Sequence, residues 1–131
     1  MTLEENKTIV RRFIDAYNTK NLTLFDELVA PDYIDHTHQQ KGRDAFVELF
    51  TLSFDVFPDW HESIQDIIAE EDKVWVRAIA TGTHKAKWNH FGVRFPPTGK
   101  KLKMEMVFYW RIANGKLIEC GEVDDSLGFL K

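Results

Sequence analysis

Asp125 is the residue whose position in the sequence points most directly to chemistry. The dipeptide Asn114-Gly115 is typical of a two-residue type I′ turn, which predicts a hairpin that pairs Ala113 with Lys116. In that register Asp125 lies opposite Met104, and directly opposite residues share one face of a sheet. Because this face is apolar, burial is expected to raise the pKa of the Asp125 carboxyl. Asp125 is therefore a predicted general acid or base near neutral pH.

The face that would surround this carboxyl is the apolar side of a strand predicted at residues 101–112. Its lining is expected to comprise Met104, Met106, Phe108, Trp110 and Gly121. Glu119 falls on the same face in this register, nearer the hairpin turn. A shift of one residue would instead turn Asp125 to solvent and Asp124 inward. A further alternative is that Asp125 begins a turn at residues 125–128 or caps a last helical turn.

Histidines supply the second set of candidates. His36 follows an extended run and precedes a helix that starts after Gly42, where a neutral imidazole can shuttle a proton or orient a carbonyl. His84 closes a predicted strand where a loop starts, and it either faces the same cavity or bonds backbone at the strand end. His36 and His38 share a face as a candidate metal pair, but a zinc site needs a third ligand. We therefore predict no metal, and a solvated loop position for His38.

Aromatic residues are candidates for the walls of a pocket. Tyr17 lies on the apolar stripe of a predicted first helix, so its ring is expected in the core and its hydroxyl near the pocket. Phe50 and Phe54 lie on one side of a predicted third helix. Trp88 and Phe91 fall in a predicted loop, where they either cover a ligand or anchor the loop on the core. The sequence carries no dinucleotide-binding glycine loop, phosphate-binding loop or nucleophile elbow.

The elements that must position these residues change type halfway along the chain. A first helix is predicted after a capping box at residues 2–5. A second is predicted to begin after Asn21 and to end before Pro31, and a third to lie between Gly42 and Phe57. The apolar period then becomes two, which predicts strands at residues 60–69, 73–84, 101–112 and 116–125, with a loop at residues 85–99. Helices followed by strands predict an α+β fold with the helices packed on one face of an antiparallel sheet.

The composition bounds the class of protein. A chain of 131 residues with 44% hydrophobic and 29% charged residues is typical of a single globular domain, predicted at residues 1–131. A net charge of -4 disfavours an electrostatic interface with nucleic acid. No apolar stretch approaches the roughly 20 residues that span a bilayer, so no membrane partner is expected. Cys120 is the single cysteine and cannot form an internal disulfide, which favours a cytoplasmic location.

Short segments along nearly the whole chain resemble one family. The segments are Asn6-Lys7, Val10-Arg11-Arg12-Phe13, Pro31-Asp32-Tyr33-Ile34-Asp35-His36, Phe57-Pro58-Asp59, Gly82-Thr83-His84, Pro97-Thr98-Gly99-Lys100, Asn114-Gly115-Lys116 and Asp125-Ser126-Leu127-Gly128. In this order they resemble the SnoaL-like polyketide cyclases of the nuclear transport factor 2-like superfamily. The resemblance implies a cone-shaped α+β barrel, in which a curved antiparallel sheet wraps around a cavity closed by N-terminal helices. It also implies a homodimer through the outer sheet face, where Trp75, Ile79, Val107 and Tyr109 would lie.

The same resemblance implies a reaction. In the family's cyclases an aspartate on the last strand is the acid/base, and Asp125 matches it, while His36 matches the histidine that ends the first strand. The implied chemistry is aldol-type cyclisation, isomerisation or a similar proton abstraction next to a carbonyl, on a small hydrophobic substrate and without metal or organic cofactor. Gly121 departs from the family because many relatives have tryptophan there, and residues 106–108 lack the histidine that cyclases tend to carry. The alternatives are a non-catalytic binding module for an apolar ligand and a dimeric interaction domain.

Overall fold

The computed structural model describes residues 2–90 and 93–124. Its helices all lie in the first half of the chain, as the sequence predicts, but two strands precede the third helix. Its helices are α1 (Leu3–Thr19), α2 (Leu22–Leu28) and α3 (Arg43–Val56). Its strands are β1 (Val29–Asp35), β2 (Gln40–Lys41), β3 (His61–Glu70), β4 (Lys73–Thr83), β5 (Trp88–His90), β6 (Val93–Phe95), β7 (Lys101–Ala113) and β8 (Lys116–Asp124). Among the residues described, no helix combines the length and hydropathy needed to traverse a bilayer.

Helix α1 begins where the capping box predicts. The Thr2 hydroxyl accepts a hydrogen bond from the Glu5 N–H at 3.1 Å, and the Glu5 carboxylate accepts one from the Thr2 N–H at 3.3 Å. The buried stripe of the helix includes Val10, Phe13 and Ile14. Helix α1 therefore presents one apolar side to the rest of the fold and carries Tyr17 in its last turn.

The strands of the described chain form one large sheet in the order β2-β1-β8-β7-β4-β3, and β5 pairs with β6 separately. Neighbouring strands of the large sheet are antiparallel, except that β1 and β8 run parallel. Helix α1 contacts β3 at one edge and also β4 and β8, so the sheet curves around the helix. We call the face that packs on the helices the inner face and the opposite one the outer face.

The core lies between the helices and the inner face. Alternate residues of β4 and β7 are buried, whereas most of their neighbours are exposed. Aromatic rings fill the space above them, and the Phe13 ring centroid lies 5.4 Å from that of Phe25 and 5.7 Å from that of Trp110. Burial of one such side chain contributes roughly 1.5–3 kcal/mol to folding. This packing holds the helices against the curved sheet.

Two element boundaries differ from the sequence-based expectation. Helix α2 ends at Leu28 instead of running on towards Pro31, because Val29 already pairs with Leu117 of β8 as the first residue of β1. The predicted loop at residues 85–99 contains the two short strands β5 and β6. The first difference arises from pairing between distant segments, which local propensity does not report, whereas β5 and β6 pair locally with each other.

A β-bulge in the last hairpin changes which side chains face inward. The predicted turn at Asn114-Gly115 is confirmed, with positive φ at both residues. Ile118 is left without a partner on β7, and the register of β8 shifts by one residue beyond it. As a result Asp124 pairs with Met106, and the predicted register, which turned Asp125 inward, is wrong.

The shift exchanges the two faces of β8. Glu122 and Cys120 lie on the inner face, although the predicted register placed them outside. Gly121 and Glu119 lie on the outer face, so the prediction that Gly121 lines the pocket is wrong. A side chain at Gly121 would overlap the ring of Tyr109, its partner on β7. The absence of a side chain there therefore makes room for Tyr109 on the outside of the sheet.

Candidate active site on the inner face

Glu62, on β3, is a carboxyl group buried on the inner face. Glu62 pairs with Ala80 of β4, whose side chain is also buried, and it is only 7% exposed. Burial raises the pKa of Glu62 to about 7, although the indole N–H of Trp60 donates a hydrogen bond to the carboxyl at 3.0 Å. Such a group is present in both protonation states at neutral pH, which is what general acid/base catalysis requires.

Helix α1 is joined to β3 at the same residue. The Asn18 side-chain amide donates to the Glu62 carbonyl, and its oxygen accepts from the Glu62 N–H, both at 2.8 Å. Because β3 is an edge strand of the large sheet, Asn18 satisfies backbone groups that have no further strand beside them. Tyr17 directly precedes Asn18, so this anchor also sets where the tyrosine lies relative to Glu62.

Glu122, on β8, is the second inner carboxyl and lies opposite Phe108 of β7. Burial raises the pKa of Glu122 to about 8, against the opposing charge of His38 and with support from Glu62 and Asp124. Its side chain nevertheless keeps 15% of its surface accessible. Glu122 is therefore mostly enclosed by protein, and a small part of its side chain stays accessible.

His38 connects Glu122 to Asp35 at the end of β1. Its Nδ1 donates to the Asp35 carboxylate at 2.8 Å, and its Nε2 lies 3.4 Å from Oε1 of Glu122. The hydrogen bond to Asp35 raises the pKa of His38, whereas burial alone would lower it. Burial acts to raise the pKa of Asp35, but its hydrogen bonds with His38 and Thr37 hold it below the usual value. His38 does lie in a loop and is partly exposed, as predicted, but its ring is held between two carboxylates instead of being surrounded by solvent.

The predicted aromatic wall is brought together by α1 and α3. Tyr17 and Phe54 each pack edge-to-face on Phe50, with ring centroids 4.4 Å apart in both pairs. Burial raises the pKa of Tyr17 well above its usual value, and the charges of Glu62 and Glu122 raise it further. The Tyr17 hydroxyl thus lies within electrostatic reach of both inner carboxyls, although these come from opposite sides of the curved sheet.

The predicted apolar strand face completes the wall. Met104, Met106, Phe108 and Trp110 are all buried on the inner face of β7. Phe108 stacks on Trp110 with a centroid distance of 5.3 Å. An apolar surface with a small number of polar groups is the usual composition of a small-molecule site.

His36 lies on the other side of the sheet from the inner carboxyls. Its Nε2 is 3.2 Å from the carboxylate of Glu119, and half of its side chain is exposed. The candidate metal pair of His36 and His38 is not formed, since the two rings bond to carboxylates on different faces. Position therefore favours His38 over His36 as the histidine of the site.

His84 is fully buried where β4 ends. Its Nδ1 lies 3.1 Å from the Thr98 hydroxyl and its ring packs on Phe57. Its backbone N–H donates to the Lys100 carbonyl, and its carbonyl accepts from Gly99. These contacts correspond to the backbone-bonding alternative, in which His84 holds the segment before β7 in place.

Three predicted site residues lie wholly or partly outside what the structure describes. Asp125 and Phe91 lie outside the described residues, and so does the side chain of Trp88. Their roles as acid/base and lid residues stay predictions.

The sequence reasoning missed Glu62, Glu122 and His38. Glu62 has a usable signal, because it alternates with the apolar Ile64 in a predicted strand. Glu122 is a carboxyl on the apolar face of the last hairpin, which is the position that the sequence predicts for Asp125. In the described part of the chain, no three ligand-type side chains converge as a metal would require, and the arrangement is suited to moving protons.

Comparison with known proteins identifies relatives of this chain. The profile of the SnoaL-like polyketide cyclase family matches residues 7–131. Aklanonic acid methyl ester cyclase from Streptomyces sp. (strain C5) is 29% identical over 126 residues, covering 92% of this chain and 76% of that protein. Nogalonic acid methyl ester cyclase from Streptomyces nogalater is 27% identical over 124 residues, covering 90% and 89% respectively.

A solved structure matches over almost the whole length. AclR from Streptomyces galilaeus, which has been proposed to be a hydroxylase, superposes with a TM-score of 0.82 at 26% identity, covering 98% of this chain and 95% of that one. The predicted α+β fold is thereby confirmed. By its sequence profile and its fold, this chain belongs to the SnoaL-like polyketide cyclase family.

Proposed function

We propose that this protein is a cofactor-free cyclase that closes a ring by an aldol-type reaction on a small hydrophobic ester. Membership of the cyclase family supports this class of reaction, and two relatives are named for acting on methyl esters. The single observation that carries the proposal is the pair of buried carboxyls, Glu62 and Glu122, with pKa values of about 7 and 8 beside an apolar wall. Fold alone would not suffice, because one fold hosts many activities.

The proposed reaction needs one base and one acid. Glu62, whose pKa of about 7 leaves it partly ionised at neutral pH, removes a proton from the carbon next to a carbonyl and leaves an enolate. The enolate carbon attacks a second carbonyl of the same molecule, which forms the C–C bond and leaves an alkoxide. Glu122, protonated below about pH 8, gives its proton to that oxygen. No proton is consumed overall, since one leaves carbon and one reaches oxygen.

The wall residues have a separate task in this proposal. Tyr17, Phe50 and Phe54 on the helices, with Met106 and Phe108 on β7, would hold the chain of the substrate folded so that its two carbonyl regions meet. Correct placement of two reacting groups supplies a large share of the rate enhancement of such ring closures. The substrate partner is therefore a small hydrophobic molecule whose reacting ends are held together by shape.

The proposal is tested by turnover of the methyl esters of aklanonic and nogalonic acid. Liquid chromatography separates a ring-closed isomer from the open ester of the same mass. Wild-type protein should form the isomer, and Glu62→Gln should slow its formation roughly 10²–10⁴-fold, the usual contribution of one acid/base group. Glu70→Gln, at an exposed position of the same strand, is the matched control and should leave the rate unchanged.

Two outcomes would reject the proposed reaction. If Glu62→Gln turns the ester over at the wild-type rate, Glu62 is not the base. If neither protein turns it over while both bind it tightly in a calorimeter, the protein is a binding module for apolar ligands.

We also propose that two copies associate through the outer face, and that the protein is cytoplasmic. Trp75 and Tyr109 pack together there with ring centroids 5.0 Å apart, and Val107 beside them is exposed. In a twofold dimer the same surface patch of each copy faces its counterpart, so this arrangement would remove the apolar patch from water. In the cytoplasm the single thiol, Cys120, would stay reduced.

A further inference from the structure

We propose that Asp35, His38 and Glu122 form a proton relay that carries a proton from solvent to the inner face of the sheet. The use of that proton in catalysis rests on the proposed function. The relay itself rests on contacts among the three side chains and on the way that backbone holds them. Glu122 is the catalytic residue of the relay, His38 passes the proton, and Asp35 positions His38.

Asp35 fixes the orientation of the imidazole. Its Oδ1 accepts the backbone N–H groups of Thr37 and His38, each at 3.1 Å, and its Oδ2 accepts Nδ1 of His38 at 2.8 Å. Because the Asp35 carboxylate accepts only, Nδ1 must carry a hydrogen. Nε2 is then the nitrogen that gains or loses the mobile proton, and it is the one that lies 3.4 Å from Glu122.

Thr37 fixes the other end of the relay. Its hydroxyl accepts the backbone N–H of Glu122 at 2.7 Å and donates to the Glu122 carbonyl at 3.1 Å. The segment after β1 is thereby tied to β8 on both sides of one residue. The distance between His38 and Glu122 is thus set by backbone contacts, and a proton can pass between them without rearrangement of the strands.

The three side chains of the relay differ in how much of their surface solvent can reach. The side chain of His38 is 30% exposed, that of Glu122 is 15% exposed and that of Asp35 is 6% exposed. His38 therefore reaches water, whereas Glu122 is more enclosed and Asp35 is buried. This is the order expected for a surface donor, an inner acid and a buried positioning group.

The proposed reaction leaves a task for such a relay. After ring closure the base holds the proton from carbon, and Glu122 has lost its own to the alkoxide. The base returns its proton to water, and His38 gives the Nε2 proton to Glu122 and takes another from solvent. One proton enters and one leaves, so each turnover restores the starting state.

Several charged or titratable groups face the relay and set its proton affinity. Asp35 and Glu122 face His38 directly, and Asp124 adds a further negative charge. The groups facing Glu122 are His38 and Asp35 beside β1, Glu62 on β3, Asp124 and Cys120 on β8, and Tyr17 on α1. The negatively charged groups in this set favour the state in which His38 and Glu122 together hold a proton. These two residues titrate as a coupled unit.

The relay is tested without substrate by proton NMR titration of His38. Its midpoint should lie above the ordinary histidine value in the wild type and fall in both Glu122→Gln and Asp35→Asn, since each removes a negative partner. Glu119→Gln, on the outer face of the same strand, is the control and should leave the His38 midpoint in place. A His38 midpoint that Glu122→Gln does not move would overturn the relay.

Turnover then tests whether the reaction uses the relay. His38→Gln should lower the maximal rate, added imidazole should restore part of it, and the alkaline limb should move to higher pH because the cation that lowers the pKa of Glu122 is gone. His61→Gln, exposed on β3, should have no such effect. Wild-type rates and an unmoved limb in His38→Gln would reject the relay's role. Absence of turnover in the wild type with the NMR shifts intact would reject the proposed function and leave the relay standing.

Discussion

Glu62 and Glu122 owe their chemistry to burial in a site that supplies few compensating donors. Each carboxyl loses hydration, and the hydrogen bond from Trp60 to Glu62 or the charge of His38 near Glu122 offsets only part of that loss. Asp35 shows the opposite case, because its several hydrogen bonds outweigh its burial and keep it ionised. Three carboxyls on one face thus differ in protonation because their local donors differ.

The buried state of Glu62 predicts a pH dependence of stability. The folded protein keeps the Glu62 proton up to about pH 7, whereas the unfolded chain releases it near its ordinary value of 4.5. Stability should therefore fall as the pH rises through this window, by up to about 3 kcal/mol from this residue. Glu62→Gln should remove that part of the slope in urea unfolding measured from pH 4 to pH 8.

Glu70 supplies the control for this experiment. It lies on the same strand but is exposed, so Glu70→Gln should keep the wild-type slope. Unfolding curves for Glu62→Gln that follow the wild type at every pH would show that burial of Glu62 does not set the slope.

Helix α1 and strand β3 are held together by the side chain of Asn18, which makes the backbone hydrogen bonds that a neighbouring strand would make. Asn18, near the end of α1, bonds both backbone groups of Glu62 on the edge strand β3. The neighbouring Tyr17 is thereby fixed against the inner face. A similar device operates at β1 and β8, where Thr37 bonds both backbone groups of Glu122. Each inner carboxyl is thus anchored through its own backbone.

Asn18→Ala should destabilise the fold by about 1–3 kcal/mol, because it leaves two backbone groups of Glu62 without partners. Asn21→Ala is the matched control, since Asn21 precedes α2 without making a side-chain cap bond, and its effect should be smaller. Thermal or urea unfolding of both variants decides the matter. Equal losses in the two would contradict the anchoring role of Asn18.

The sequence predicts element types well and strand register poorly. The turn at Asn114-Gly115 and the apolar alternation of β7 are local signals, and both are confirmed. The bulge at Ile118 has no local signal, because it is fixed only when β8 also pairs with β1. One unpaired residue was enough to exchange the inner and outer faces, so Gly121 was assigned to the pocket in place of Glu122.

The histidine was misassigned for a related reason. His36 and His38 are equivalent by spacing, and alternation alone cannot choose between them. The choice is made by Asp35, which accepts two backbone N–H groups and turns the chain so that His38 reaches inward. That turn depends on the docking of Thr37 against β8, which is a tertiary contact.

The two faces of the sheet divide the work of the protein in this account. The inner face holds the carboxyls, and the outer face carries Trp75 and Tyr109 with an open concavity of about 700 Å³ beside them. Trp75, Tyr109 and Val107 form an apolar strip on this face. Ion pairs such as that of Arg77 with Asp66 and Glu105 place charges of both signs beside the strip. A face of this composition can meet its own copy without net repulsion, which supports the proposed dimer.

Val107→Lys should convert the dimer to a monomer, because it places a charge within the apolar strip. Light scattering after size-exclusion chromatography should give the wild type a mass near two chains and this variant a mass near one. Leu52→Lys, at a position of α3 that is 56% exposed, should remain dimeric. A monomeric wild type, or a dimeric Val107→Lys, would contradict the assignment of this face.

The most direct measurement is the pH dependence of methyl ester turnover by Glu122→Gln beside Glu119→Gln. Both substitutions remove one carboxyl from β8, but only Glu122 lies on the inner face. We predict that Glu122→Gln folds, turns the ester over at least about 10²-fold more slowly than the wild type, and lacks the alkaline limb near pH 8, whereas Glu119→Gln keeps both rate and limb. Wild-type turnover by Glu122→Gln with an unchanged alkaline limb would contradict the account.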